Sequence, residues 1–153
     1  MTFIRGFKPV FMTIGVIYVL LASSMLVRGV DALHEYGVPP RDVESPVVAD
    51  IFIYFYILMA FIGVLMVLFG LVTRERTHQL LVAAAFFASQ IVFALRDLRT
   101  SDTSLGNHLY KGDGTVVFVL IGLSFAAAFG SLVVGGLRGT SRGRRRAAPS
   151  ELP

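Results

Sequence analysis

The chain has 153 residues, no cysteine and a formal net charge of +4, and 55% of its residues are apolar. Only 16% are charged, against about a quarter in soluble domains, and the mean hydropathy is +0.73. This balance excludes an ordinary water-soluble domain, and the missing cysteine excludes disulfides, thiol redox chemistry and thiolate metal ligation. The composition predicts one compact domain whose solvent is lipid.

Four apolar runs predict four membrane-spanning helices, because about 20 apolar residues cross a hydrocarbon core of ~30 Å. The predicted helices cover about residues 10–27, 47–72, 79–98 and 115–137. Basic residues precede the first run, an arrangement that signal peptides share, and cleavage is the less favoured interpretation. The predicted fold is therefore an all-α integral membrane protein, an antiparallel bundle of four transmembrane helices within residues 1–137.

The connections differ in length and character. Prolines prevent a continuous helix over residues 28–46, although residues 31–36 are expected to form one turn along the membrane surface. The short link at residues 73–78 predicts that the second and third helices are antiparallel neighbours. Residues 99–115 form the other long loop, and residues 138–153 form a basic tail that is expected to lack structure on its own.

Charge sets the predicted orientation. The face with both chain ends and the short link carries nine basic and two acidic side chains, whereas the face with the long loops carries five basic and eight acidic ones. Basic residues accumulate on the cytoplasmic side of membrane proteins. The sequence thus predicts that both termini are cytoplasmic, in a bacterial inner membrane.

The fourth helix carries two rows of small residues at four-residue spacing. The rows are Gly122, Ala126 and Gly130, and Ala127, Ser131 and Gly135. Small residues at this spacing let helix backbones approach closely in lipid. They predict helix packing, favoured within the chain against the first or third helix, with docking of another subunit as the alternative.

Gln90 is a side-chain amide deep within the third apolar run, and Asp97 shares its helix face. An amide that faced lipid would leave its hydrogen-bonding groups unpaired, so Gln90 is expected to face the bundle. The favoured interpretation is an interhelical hydrogen bond to Thr13, Ser23 or Ser24, worth about 0.6–2 kcal/mol. The alternative is a pocket between the second and third helices for a quinone or a lipid tail.

Charged and aromatic side chains near the outer ends of the same two helices complete this candidate pocket. Arg96 and Arg99 lie near the end of the third helix, and Asp50 and Tyr54 share a face of the second. An ion pair of Asp50 with either arginine is favoured over an outer-leaflet phosphate site. The predicted ligand-binding candidates are Gln90, Asp97, Arg96, Arg99, Asp50 and Tyr54.

No metal or cofactor is predicted. The loop residues His34, Glu35 and His108 face one side of the membrane, but their spacing matches no metal motif. No P-loop, nucleophile elbow or Rossmann fingerprint occurs, so an enzyme is not favoured, and no nucleic-acid partner is expected. The tail arginines are expected to contact anionic lipid or an acidic partner surface. They are Arg142, Arg144, Arg145 and Arg146.

The layout resembles that of known membrane families. The residues that carry the likeness are Gly63 and Gly70 in the second helix, the Ala94-Leu95-Arg96 end of the third, and the loop at residues 111–114. Over about residues 10–135 the chain resembles small bacterial four-helix membrane proteins of the DoxX-like and DUF4345 kind. The resemblance implies the fold and no particular activity, because these families are poorly defined in function.

Two functional hypotheses follow from the sequence. The favoured one is a non-catalytic accessory or scaffolding subunit of a larger bacterial inner-membrane complex, with membrane lipids and other membrane subunits as partners. The alternative is a protein that binds a lipophilic small molecule, or a small membrane enzyme. A transporter is the least favoured class, because no ionisable residue lies at the predicted midplane.

Overall fold

A computed structural model of the chain describes residues 4–36, 40–100 and 113–146. Within these ranges it describes no side chains at residues 35, 36, 41, 42, 97, 100, 113–118 and 139–146. The described residues form helices and no strand. The elements are α1 (Phe7–Arg28), a 3-10 segment (Val30–Tyr36), α2 (Pro40–Val43), α3 (Pro46–Val72), α4 (Arg76–Thr100) and α5 (Asp113–Arg146).

Four helices are long and apolar enough to cross a membrane, as the apolar runs predict. They are Phe7–Arg28, Pro46–Val72, Arg76–Arg96 within α4 and Val119–Arg138 within α5. Large apolar side chains cover their outer faces: Leu20 is 64% exposed, Ile57 53% and Val92 64%. Soluble proteins rarely expose continuous apolar surface of this extent, and such a surface is typical of multi-pass membrane proteins.

Local sequence explains where the first helices begin and end. α1 begins at Phe7, whereas the sequence predicts a start near residue 10. The helix can include Pro9 because this residue lies in the first turn, where the missing N–H breaks no helical hydrogen bond. It ends where Gly29 adopts a φ of 69° and donates its N–H to Met25 O at 2.9 Å. The 3-10 segment confirms the turn expected at residues 31–36, and Pro46 begins α3 as expected.

The last helix is longer than the sequence predicts. α5 has 34 residues, or about 50 Å at 1.5 Å per residue, and it ends at Arg146 rather than near residue 137. The expectation that residues 138–146 lack structure is therefore wrong. Arginine is a good helix former, and extending an existing helix fixes only one residue for each new hydrogen bond. Residues 147–153 of the predicted tail lie outside the described residues.

The long helices form two pairs. α1 packs along α3 and α4 packs along α5, whereas backbone contact between α3 and α4 is sparse. The second and third spanning helices are neighbours, as the short link predicts, since the Phe69 and Phe86 rings lie 6.5 Å apart between centroids, but their backbones do not pack closely. At the α1–α3 crossing, a Cβ on Gly15 would lie 2.6 Å from Gly63 O. This backbone approach requires glycine.

An aromatic core joins the two pairs. The Phe11 ring of α1 makes edge contacts with Phe86 of α4 at 5.4 Å and with Phe129 of α5 at 5.1 Å between centroids. Met66 of α3 is fully buried in the same cluster. The remaining buried members of the cluster are Ile4, Phe7, Ile14, Ala83 and Leu132. The hairpins therefore contact through side chains near the end of the bundle that holds the short link.

Candidate functional site

Gln90 is buried and bonded to another helix. Its side chain is 4% exposed, and its Nε2 donates to the Tyr18 hydroxyl of α1 at 2.9 Å. The expected bond to the first helix is therefore present, but Thr13, Ser23 and Ser24 are exposed and do not make it. Tyr18 makes it because it lies on the buried face of α1, in line with Ile14 and Ala22 at four-residue spacing.

A groove opens beside this hydrogen bond, where α3 and α4 do not pack closely. Its volume is about 270 Å³. Gln90 and Ser89 supply polar groups from α4, and Tyr18 supplies a hydroxyl from α1. The other lining residues are Ile62, Leu65, Ala85, Phe86 and Phe93. A groove between the second and third spanning helices thus exists, but its walls differ from those that the sequence predicts.

The other predicted ligand-binding residues that have described side chains do not line this groove. Tyr54 is 74% exposed, and Asp50, Arg96 and Arg99 are exposed as well. Asp50 forms no ion pair with Arg96 or Arg99, all of which have described side chains. The reason is the pairing of the helices, which places little of α3 against α4. The side chain of Asp97 lies outside the described part of the chain.

The small-residue rows of α5 point in different directions. In the first row, a Cβ on Gly122 would lie 3.6 Å from Ala94 of α4, and one on Gly130 would lie 3.2 Å from the Phe87 ring. Ala126 of this row is 3% exposed, so the row packs within the chain. The second row, Ala127, Ser131 and Gly135, is exposed, and nothing lies within 4 Å of a Cβ built on Gly135.

A buried polar cluster at the link end is absent from the sequence-based candidates. Gln79 is 4% exposed, its Oε1 accepts from Ile4 N at 2.9 Å, and its Nε2 donates to Thr73 O at 2.9 Å. Arg76 Nη2 donates to Gly136 O of α5 at 2.6 Å, and Arg76 Nε is buried without a hydrogen-bond partner in the described part. The cluster joins the start of the chain, the link and α5 at one end of the bundle.

The remaining sequence candidates are not brought together. His34 is exposed, and the Glu35 side chain and His108 lie outside the described residues. Among the residues that were described, no group of three or more metal-ligating side chains occurs. The backbone of α5 is helical at the four tail arginines, whose side chains are not described. They are Arg142, Arg144, Arg145 and Arg146.

In the comparisons with known proteins, no family model, no curated protein and no solved structure matches this chain. The resemblance to DoxX-like and DUF4345 proteins therefore stays a prediction. The protein is defined here by its architecture, two helical hairpins with four helices of membrane-spanning length.

Proposed function

We propose that this chain is a non-catalytic accessory or scaffolding subunit of a larger protein complex in a bacterial inner membrane. The observation that carries the proposal is the exposed small-residue row of α5, Ala127, Ser131 and Gly135. Small residues in the membrane mark places where helices approach one another. This row has no partner helix among the described residues.

The packing inside the chain supports this use of the row. Gly15 and Gly63 mark the closest approach of α1 and α3, and Gly122 lies against Ala94 where α4 meets α5. Small residues thus mark both helix pairings of the protein. The exposed row has the same four-residue spacing as the packed row of α5 and also consists of small residues, so a helix of another subunit can approach it in the same way. Ser131 Oγ donates to Ala128 O, so the hydroxyl of this row already has a hydrogen-bond acceptor within its own helix.

The proposed orientation has both chain ends in the cytoplasm. The hydrogen bonds of Gln79 and Arg76 join the N-terminal segment, the link and α5 at one end of the bundle. The basic side chains described at that end outnumber its one described acidic side chain, Glu75. They are Arg5, Lys8, Arg74, Arg76 and Arg138. The excess of basic residues at one end favours its cytoplasmic placement.

The test is purification of the tagged chain from its native membrane in mild detergent, followed by native mass determination. The wild-type chain is expected in a stoichiometric assembly with other membrane subunits. Ala127→Leu should release those subunits, because the larger side chain keeps the partner helix away. Ala88→Leu adds the same bulk at an exposed site of α4 and should leave the assembly intact.

A wild-type chain that purifies as a monomer or small homo-oligomer would contradict the scaffolding function. Equal retention of partners by the Ala127 and Ala88 variants would show that the row is not the contact surface. Equal loss would indicate that added bulk disturbs the fold at either site.

The groove beside Gln90 favours a second candidate function, the binding of a lipophilic small molecule. In the described part of the chain no group donates to Gln90 Oε1, and the Tyr18 hydroxyl accepts from Gln90 Nε2. Gln90 Oε1 is thus free to accept a hydrogen bond from a quinol or lipid hydroxyl. The Tyr18 hydroxyl is free to donate its O–H to a quinone carbonyl. A volume of about 270 Å³ suits a ring or a chain segment.

Lipid extraction of the purified protein and mass spectrometry of the extract test this second function. Gln90→Leu should abolish retention of the co-purified quinone or lipid while leaving the fold intact. Thr77→Leu, a polar-to-apolar change at an exposed site outside the groove, should retain it. Retention by Gln90→Leu would show that the groove is not the binding site.

A further inference from the structure

A second groove lies where α3 ends and α4 begins, separate from the groove at Gln90. Its volume is about 430 Å³. Apolar side chains form its walls, with Phe69 and Val72 on α3 and Leu81 and Val82 on α4. Thr73, Arg74 and His78 lie at its polar end. The groove therefore has an apolar part along two spanning helices and a polar part at their ends.

The polar part is cationic. Arg74 has no hydrogen bond or ion pair among the described residues and is exposed. The neighbouring carboxylate of Glu75 contacts His78 instead, with 3.3 Å between Glu75 Oε2 and His78 Nδ1. The guanidinium at the rim is thus available to an anion. It also lies at the end of the bundle where basic side chains predominate.

We propose that this groove binds one anionic phospholipid, with its phosphate at Arg74 and an acyl chain along Phe69, Val72 and Leu81. A phospholipid fits this groove because it carries a negative headgroup at one end, to meet Arg74, and an apolar chain at the other, to cover the apolar walls. Arginine binds phosphate oxygens with charge-assisted, bidentate hydrogen bonds. This lipid site is independent of the proposed scaffolding function and of the groove at Gln90.

The location of the groove argues against a free anion as its ligand. The apolar walls belong to helices that are long and apolar enough to cross a membrane, so an acyl chain reaches them from the surrounding lipid. A small soluble phosphate would leave these walls uncovered. The apolar walls and the guanidinium together therefore select a lipid and not its headgroup alone.

Native mass spectrometry of the full chain, titrated with phosphatidylglycerol or phosphatidylcholine in detergent, tests the proposal. The wild-type chain should bind one phosphatidylglycerol in preference to phosphatidylcholine. Arg74→Gln should weaken that binding about fivefold, the effect of one basic charge near a lipid phosphate. Arg5→Gln removes an exposed charge at the same end but outside the groove, and should leave the first binding event unchanged.

A second pair of variants tests the apolar part. Leu81→Phe fills the groove, whereas Leu71→Phe makes the same change at an exposed site of α3 that does not line it. Only Leu81→Phe should weaken binding of phosphatidylglycerol. Equal losses in Arg74→Gln and Arg5→Gln would overturn the site in favour of general surface attraction. Competition by glycerol 3-phosphate as strong as that by phosphatidylglycerol would overturn the lipid as ligand.

Discussion

Gly15 and Gly63 determine how closely α1 and α3 approach each other. A Cβ on Gly63 would lie 2.7 Å from Gly15 O and 2.8 Å from Val19 Cγ2, distances that real Cβ atoms do not reach. The sequence draws attention to Gly63 through its spacing to Gly70, but Gly15 stands alone in its apolar run. Its role becomes visible only when the two helices are placed together, because single glycines in membrane helices have no periodic pattern.

Gly63→Ala is expected to destabilise the protein by about 1–3 kcal/mol, because the added methyl group forces the two backbones apart. Gly135→Ala is the matched control, since nothing lies within 4 Å of the Cβ that it adds. The stability of that variant should be unchanged or slightly higher. Unfolding by SDS in mixed micelles, followed by circular dichroism, measures both. Equal losses in the two variants would contradict the close crossing.

The sequence predicts the burial of Gln90 but not that of Gln79. Gln90 lies within an apolar run, where an unpaired amide is costly, so its burial and its bond to α1 are predictable. Gln79 follows a polar link, where nothing in the pattern marks a side chain as buried. The partner atom is also unpredictable, because Tyr18 becomes the acceptor through the rotation of α1 within the bundle.

Gln79 fixes the start of the chain to the start of α4. Its amide accepts from Ile4 N and donates to Thr73 O, so one side chain satisfies backbone groups of two separate segments. Ile4 is 5% exposed, and without Gln79 its N–H has no hydrogen-bond acceptor among the described residues. An N–H that is buried and unpaired costs about 1–3 kcal/mol.

Gln79→Leu should therefore release the N-terminal segment while the long helices remain. Amide hydrogen exchange is expected to rise over residues 4–10 and to stay unchanged in the middle of α3. Thr77→Leu, an exposed change in the same first turn of α4, is the control and should leave the exchange of residues 4–10 unaffected. Unaltered protection in Gln79→Leu would show that another group anchors the segment.

The sequence pattern predicts the four long helices but not how they pair. Hydropathy predicts the existence of all four helices of spanning length, because their apolar runs are long and uninterrupted. It does not predict which helices pack together. A short link brings two helix ends together, whereas small residues such as Gly15 and Gly122 decide where backbones meet. Hydropathy also does not predict the length of α5, since the last turns of this helix are polar but still helical.

The two ends of the bundle differ in charge and in the chain segments that they hold. The chain contains no cysteine, so a single introduced cysteine is a unique label. Glu75 lies in the link, at the basic end of the bundle. Asp31 lies in the 3-10 segment that follows α1, at the other end, and both side chains are exposed. Exchanging either acidic side chain for cysteine gives a matched pair of reporters for the orientation.

A membrane-impermeant maleimide should label Asp31→Cys in intact cells. Glu75→Cys should react only after the membrane has been permeabilised, because the basic end is proposed to be cytoplasmic. Gel mobility after labelling gives the result. The reverse pattern would contradict the proposed orientation, and labelling of both variants in intact cells would contradict a membrane-spanning bundle.

The pairing of α1 with α3 and of α4 with α5 determines the order in which the chain can assemble during synthesis. Both partners of the first hairpin precede residue 73, so their interface can close before the ribosome has made α4. The second hairpin forms in the same way, and docking of the two around Phe11 completes the protein. Two fragments divided within residues 73–75 and co-expressed are therefore expected to co-purify as one bundle.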